Sequence, residues 1–409
     1  VPRNNLCENC CKDNMHDVMS ETRTTRLGSA LWRKKPMHET GGTETRKIVD
    51  CDVHPLIKSV DALSPYLSSR WRERFVPRSI GQSSSNGFVF ARARDRYPHP
   101  NTTYRLDALP PNGGPAGSDP EFVLSDLIEP HGITTALLLP QEHYGVVRFS
   151  SAEAAAVFER ANNEYLIDQW LAVDNRFALA LTVSEHDPVA AAQSIRDLGR
   201  REGVVGVQLL INKTMLGSRL FDPIYAAAQD MGLAIVSHQN GSEGCYSFAQ
   251  GPAGGAPRFY GERHSVLPQV GAANVVDMIM SGVFERFPEL RVVMVEWGFS
   301  WLGALMSRAD HLWMKNRSAA PHLKHAPSEY VVKHFKFATQ PLDEASGSKE
   351  FEAMFGIPEL NKMLVFSSDY PHYDTDAPDV ILGKIPEPMK DAVYWQNALD
   401  AFGSKIFRN

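Results

Sequence analysis

Residues 48–54 read Ile48-Val49-Asp50-Cys51-Asp52-Val53-His54, an apolar, β-branched run that ends in an acid and a histidine two positions apart. Alternate residues of a strand share a face. Asp52 and His54 therefore leave the strand tip together, as the first two ligands of a metal ion would. Taken alone, such a triplet is more often a turn acid beside a hydrogen-bonded histidine. Its weight comes from what the chain does at later strand ends.

Seven further apolar runs follow, at Ile133–Leu139, Phe177–Val183, Val204–Ile211, Leu233–Ser237, Arg291–Val295, His334–Thr339 and Met363–Ser367. Near-continuous apolarity, rather than alternation, marks strands buried on both faces, as in parallel sheets covered by helices. Between the runs, Ala152–Ala172, Pro188–Arg201, Phe221–Met231, Asn274–Phe287, Trp301–Met314 and Glu350–Phe355 carry helix formers with apolar positions three and four apart. The alternation predicts an α/β fold, a single (β/α)8 TIM-type barrel with long insertions after strands one and five. Two doubly wound domains are the competing reading, but the sequence has neither a Gly-rich phosphate loop nor a mid-chain linker.

Chemistry in such a barrel sits at the carboxyl ends of the strands. The fifth run ends in Ser237-His238, the sixth in Val295-Glu296-Trp297, and the eighth in Ser367-Ser368-Asp369-Tyr370-Pro371-His372. Singly, each has an ordinary explanation: a core histidine, a helix cap, a turn acid. Together they aim Asp/His, His, Glu and Asp at one mouth, and that set reads as a metal site.

The order of a strand-one D-x-H, a strand-five His, a strand-six acid and a strand-eight Ser-Asp-Tyr-Pro-His resembles the amidohydrolase superfamily, in the branch typified by aminocarboxymuconate semialdehyde decarboxylase. The resemblance runs from about Lys47 to the C-terminus. Its most specific pieces are Phe366–His372 and Val295-Glu296-Trp297-Gly298-Phe299-Ser300-Trp301-Leu302. It implies one divalent ion per chain, zinc or manganese, with Asp52, His54 and His238 as ligands and Asp369 as a carboxylate that binds metal and shuttles protons. Two positions depart from the simplest family pattern. Asp52 stands where many members have histidine, although resorcylate-type decarboxylases carry Glu-x-His there, and Glu296 replaces a common strand-six histidine. More oxygen ligands shift the preference from zinc toward manganese. Glu296 is left as a further ligand, a general acid or base, or an orienter of His238.

Composition suits an enzyme rather than a nucleic-acid or membrane protein. The 409 residues are 43% hydrophobic with a formal net charge of -6, enough for a large core and without a basic stripe. No stretch approaches the roughly 20 apolar residues of a membrane span, and no apolar signal core opens the sequence. The expected location is the cytoplasm. Five cysteines, Cys7, Cys10, Cys11, Cys51 and Cys245, are odd in number and crowded near the start, which argues against a disulfide framework. Cys7-x-x-Cys10-Cys11 with His16 lacks a second pair at finger spacing and is read as chance.

Residues 1–46 are polar and lack apolar periodicity, and are expected to form a disordered or loosely packed extension, with the barrel at 47–409. The insertion from Pro55 to about Leu124 is expected to be a lid over the mouth or an arm onto a second subunit of a homodimer or higher homo-oligomer. The strand-five loop, Gln239–Pro268, would bring Arg258, Tyr260, Arg263 and His264 near the metal, with either arginine able to clamp a substrate carboxylate. Tyr144, Tyr246, Phe248, Tyr260, Trp297 and Tyr370 are the aromatic candidates around the mouth, with Tyr260 and Trp297 taken as substrate contacts. A small carboxylic acid, hydroxylated aromatic or muconate-like, is the expected substrate of a non-oxidative decarboxylation, with Asp369, Glu296, His264 and His372 as candidate acids and bases. Metal-activated hydrolysis of a carbon–carbon, amide or ester bond uses the same ligands. A barrel that binds without catalysis is the third alternative.

Overall fold

The computed structural model describes residues 46–76, 104–141, 143–146, 149–211, 214–239, 259–342 and 348–408. Eight strands form one sheet in the order β1 to β8: Val49–Val53, Thr135–Leu138, Phe177–Thr182, Val204–Leu210, Ala234–His238, Val292–Val295, Phe335–Ala338 and Leu364–Val365. Every neighbouring pair from β1 to β8 is parallel. The ring closes where Cys51 N donates to Phe366 O at 2.9 Å, Asp369 N to Asp52 O at 3.1 Å and His54 N to Tyr370 O at 2.8 Å. The expected (β/α)8 barrel is therefore the observed one.

Among the helices that follow the strands from β2 onward are α1 Ala152–Leu166, α2 Pro188–Leu198, α3 Asp222–Met231, α4 Tyr260–Met280, α5 Leu302–Lys315, α6 Ser348–Met354 and α7 Pro378–Lys384. Their starts follow ordinary capping rules. Ser151 accepts from Ala154 N, and Asp187 accepts from Val189 N and Ala190 N ahead of Pro188. Parallel strands enclosed by helices are buried throughout, and all eight here are. That is why they read as continuous apolar runs.

The barrel core contains Val49, Cys51, Leu137, Leu139, Ala178, Ala180, Val205, Val236, Val293 and Val365, continuous with Ala398, Phe402 and Ile406 near the C-terminus. Thr135 Oγ1, at the start of β2, donates to Ile406 O at 3.1 Å. Lys405 Nζ reaches Met231 O, just before β5, at 2.9 Å. The final segment thus covers the amino ends of the strands and leaves the carboxyl ends for the site.

Two expectations need correction. The strand-five loop does not run to Pro268, because α4 begins at Tyr260 and Pro268 lies inside it. A mid-helix proline forgoes the bond its N–H would make to the carbonyl of His264, and burial of Leu267, Val275, Met278 and Ile279 along the same helix offsets that loss. The start was legible in Glu262, whose Oε2 accepts from Phe259 N at 3.3 Å as an N-terminal cap. The second correction concerns Arg46, assigned to the extension, which ion-pairs with Asp391 at 2.7 Å and lies over the Tyr394 ring at 5.3 Å. Arg46 therefore belongs with the barrel. Residues 1–45, Tyr246, Phe248, Arg258 and the middle of the strand-one insertion, residues 77–103, lie outside the described residues.

Candidate metal centre

β1 carries one extra residue against β2. Asp50 pairs with Ala136 and Val53 with Leu138, so three steps on β1 match two on β2. A bulge re-aims the side chains beyond it, and this one lies at the tip that bears Asp52 and His54. Gly117 from the strand-one insertion packs on this tip with φ +78, and any Cβ there would stand 2.4 Å from His54 O. Only glycine fits that approach.

His54 is fully buried, and its Nδ1 lies 2.8 Å from Leu139 O. A carbonyl can only accept, so Nδ1 carries the proton and Nε2 presents a lone pair. That lone pair stands 3.1 Å from Asp52 Oδ1 and 2.9 Å from Asp369 Oδ1. Neither Asp52 oxygen nor His54 Nε2 has a hydrogen-bond partner, although all three are buried. Three converging acceptors repel unless a cation or a proton sits among them.

A second group adjoins the first. His238 Nε2 lies 3.7 Å from Asp52 Oδ2 and 3.6 Å from Glu296 Oε2, while its Nδ1 faces Tyr144 Oη at 2.8 Å. Asp52, His54, His238 and Glu296 offer ligand atoms within 4.8 Å of one another, and so do His54, Glu296, Asp369 and His372. Both sets are buried and could hold a metal ion. Asp369 Oδ1 also meets His372 Nδ1, and its Oδ2 accepts from Gln340 Nε2 at 3.1 Å.

Electrostatics follow from this crowding. Burial pushes the Asp369 carboxyl well above its ordinary range, and neighbouring Glu296 and Asp52 push it further. Burial alone would lower His238, but Glu296 and Asp52 more than offset it and hold the imidazole at about 9. Burial would raise the Glu296 carboxyl, yet His238 and His372 bring it below its usual range. Burial keeps His54 and His372 neutral by lowering both.

The remaining candidates are dispersed. His264, half-buried on α4, is close enough to Glu296 and His372 for its charge to act on both. Arg263 is buried and donates through Nη2 to Gln239 Oε1. Tyr260 opens α4. Trp297 is fully buried, gives Nε1–H to Ser237 O at 3.1 Å and packs where Gly271 of α4 leaves no room for a Cβ, which would stand 2.7 Å from Trp297 Cβ. Gln340, Gln141 and Tyr104 escaped the sequence reading. Gln340 and Gln141 follow strands seven and two closely, a signal of the same kind as His238 at the end of strand five. Tyr104 sits in a long insertion with no periodic signal at all.

A (β/α)8 barrel with this cluster at its mouth defines a class, and the comparisons agree with it. The amidohydrolase family model matches residues 49–404, and the chain belongs to that family. No curated protein sequence matches it. Among solved structures it is similar to an amidohydrolase of Mycobacterium avium subsp. paratuberculosis K-10, with 19% identity and a TM-score of 0.65 over 88% of this chain and 99% of that one. It is also similar to 5-carboxyvanillate decarboxylase of Sphingomonas paucimobilis, with 22% identity and a TM-score of 0.59 over 88% and 99%. A third is 5-carboxyvanillate decarboxylase of Novosphingobium aromaticivorans complexed with manganese and 4-hydroxy-3-methoxy-5-nitrobenzoic acid, at 17% identity, TM-score 0.62, over 89% and 98%. Among the described residues no helix is long and apolar enough to cross a membrane.

Proposed function

We propose that the chain is a metal-dependent decarboxylase of a hydroxylated aromatic carboxylic acid. The observation that carries the reading is the meeting of His54 Nε2 with Asp52 Oδ1 and Asp369 Oδ1 at 3.1 and 2.9 Å without a donor between them. Similarity to two decarboxylases of aromatic acids, one of them solved with manganese, supports the substrate class. Asp52, His54, His238 and Asp369 are the proposed ligands, with Glu296 on the same side of His238. Three carboxylates against two imidazoles favour manganese over zinc. The bound ion would supply positive charge to hold the substrate's carboxylate and an adjacent phenolic oxygen.

The protein's own groups then manage the proton. Asp369, with His372 beside it and His264 near both His372 and Glu296, takes up the proton that the substrate's phenol releases on binding and delivers it to the ring carbon that bears the carboxylate. The carbon–carbon bond breaks, carbon dioxide leaves, and the bonding pair restores the aromatic ring. Arg263 is the candidate to orient the acid, with Arg258, Tyr260 and Trp297 as the further candidate substrate contacts. A homodimer or higher homo-oligomer, with the strand-one insertion as its arm, completes the reading. The test is incubation of manganese-loaded protein with a panel of hydroxylated benzoic acids while carbon dioxide is measured. Release from at least one acid is expected. Silence on every acid, together with hydrolysis of an ester or amide panel, would replace the lyase reading with the hydrolase one.

A further inference from the structure

The first β–α insertion reaches the site through a chain of side chains that ends on Asp369. Tyr104 pairs its backbone with His372 in an antiparallel bridge, and Arg105 N donates to Pro371 O at 3.0 Å. The Tyr104 ring lies nearly parallel to the His372 imidazole, 5.5 Å between centroids and 13° between planes. Tyr104 Oη donates to Gln141 Oε1, the Gln141 amide nitrogen meets His372 Nε2, and His372 Nδ1 meets Asp369 Oδ1. Gln141 itself is buried and follows β2.

The donors in this chain run one way. A phenol O–H into the amide oxygen leaves the Gln141 N–H2 to donate into His372 Nε2. Nε2 is then an acceptor, so the ring's one proton sits on Nδ1 and points at Asp369 Oδ1. The opposite polarity would put a lone pair of His372 against the carboxylate and present the amide oxygen to Nε2. Orientation of an amide and a histidine is set by the network around them, and here both ends of the network agree.

We propose that Tyr104 and Gln141 are positioning residues that fix His372 as its Nδ1–H tautomer, and so orient Asp369 at the metal centre. The strand-one insertion is then a working part of the site and not only a cover. This rests on the reading of Asp369 as a carboxylate of the reacting centre. The tautomer itself is read without metal or substrate, so the two can fail separately.

The test begins with protein carrying isotopically labelled histidine, free of metal, in which long-range proton–nitrogen correlations report the tautomer of each ring and His372→Gln identifies the signal. The expected result is an Nδ1–H ring in the native sequence and an Nε2–H ring in Gln141→Glu, whose size is preserved and whose amide donor is gone. An Nε2–H ring in the native protein, or no change in Gln141→Glu, overturns the proposal. The second measurement is manganese affinity. Tyr104→Phe and Gln141→Leu should each weaken it about 10-fold, the lower end of what outer contacts to a ligand contribute. Because the two residues act in series, the double variant should be no worse than about twofold below the weaker single one. Losses that multiply instead would show that the residues act independently and overturn the chain.

Discussion

Glu296 and Asp369, at the carboxyl ends of β6 and β8, share one backbone conformation: φ is 63° at the first and 60° at the second, in the left-handed region. A residue with a side chain held there costs on the order of 1–3 kcal/mol, and such residues gather at functional sites. Glu359 is the remaining non-glycine case among the described residues. Strain at two strand tips, each aiming a buried carboxylate at the same space, is stability given up for placement. The two carboxylates then differ in charge, Glu296 ionised beside His238 and Asp369 pushed toward its protonated form.

That difference makes Asp369→Asn informative. Asparagine tolerates the left-handed region, keeps the shape and resembles the protonated acid. Without metal, the variant should unfold at the same temperature as the parent or above it. Turnover should fall by at least about 100-fold, the contribution of a positioned acid or base. Calorimetry and single-substrate kinetics read the two effects. A near-native rate would move proton transfer to His264, Glu296 or His372.

Glu296 approaches His238 at Nε2, the nitrogen that faces Asp52, and not at Nδ1. An orienter would grip the nitrogen turned away from the ion. Glu296→Gln should therefore weaken manganese binding outright, by more than about 100-fold, and His238→Ala should abolish it while leaving the barrel folded. Metal analysis and circular dichroism check both. Full occupancy in Glu296→Gln would return that residue to a supporting role.

The barrel was legible because its strands are buried on both faces, which leaves continuous apolar runs such as Val204–Leu210. Asp52, His54, His238 and Asp369 were legible because each lies at or just past the end of such a run. The limits have physical causes as well. Pro268 disguised the first turns of α4, since propensity sees the lost hydrogen bond and not the burial that offsets it. The bulge in β1 shifts which residues share a face, and strict alternation cannot register it. Tyr104 reaches His372 across a long insertion, a contact fixed by tertiary structure alone.

Away from the site, His334 gives a pH dependence of stability. Its ring stacks on Phe284 at 4.2 Å, its Nδ1 gives a hydrogen bond of 2.9 Å to Leu290 O, and burial pushes it down to about 4. In the unfolded chain it titrates near 6.5. Between those values the unfolded state binds more protons, so the folded state loses stability as pH falls from 6.5 toward 4, and the loss levels off below that. His334→Phe should be less stable than the parent at pH 8, by about 1 kcal/mol for the lost hydrogen bond. It should show a shallower decline toward pH 5. Urea midpoints at the two pH values decide it, and parallel declines would remove His334 from the acid response.

Metal binding should itself release protons. Without metal, the gap among Asp52, His54 and Asp369 is tolerable only with a proton in it. Asp369, raised well above the carboxylate range, is placed to hold that proton against His54 Nε2, while His238 at about 9 carries another. A cation bound to these atoms displaces both, since ligands must be deprotonated. Affinity for manganese should therefore rise with pH between 6 and 8, by about 10-fold per unit if one proton leaves and about 100-fold if two do. Calorimetric titration in buffers of different ionisation enthalpy counts the protons directly. Saturating metal should also raise the unfolding temperature, because an ion held at 100 times its dissociation constant adds about 2.7 kcal/mol. An affinity that ignores pH would mean that the ion does not contact His238 or Asp369.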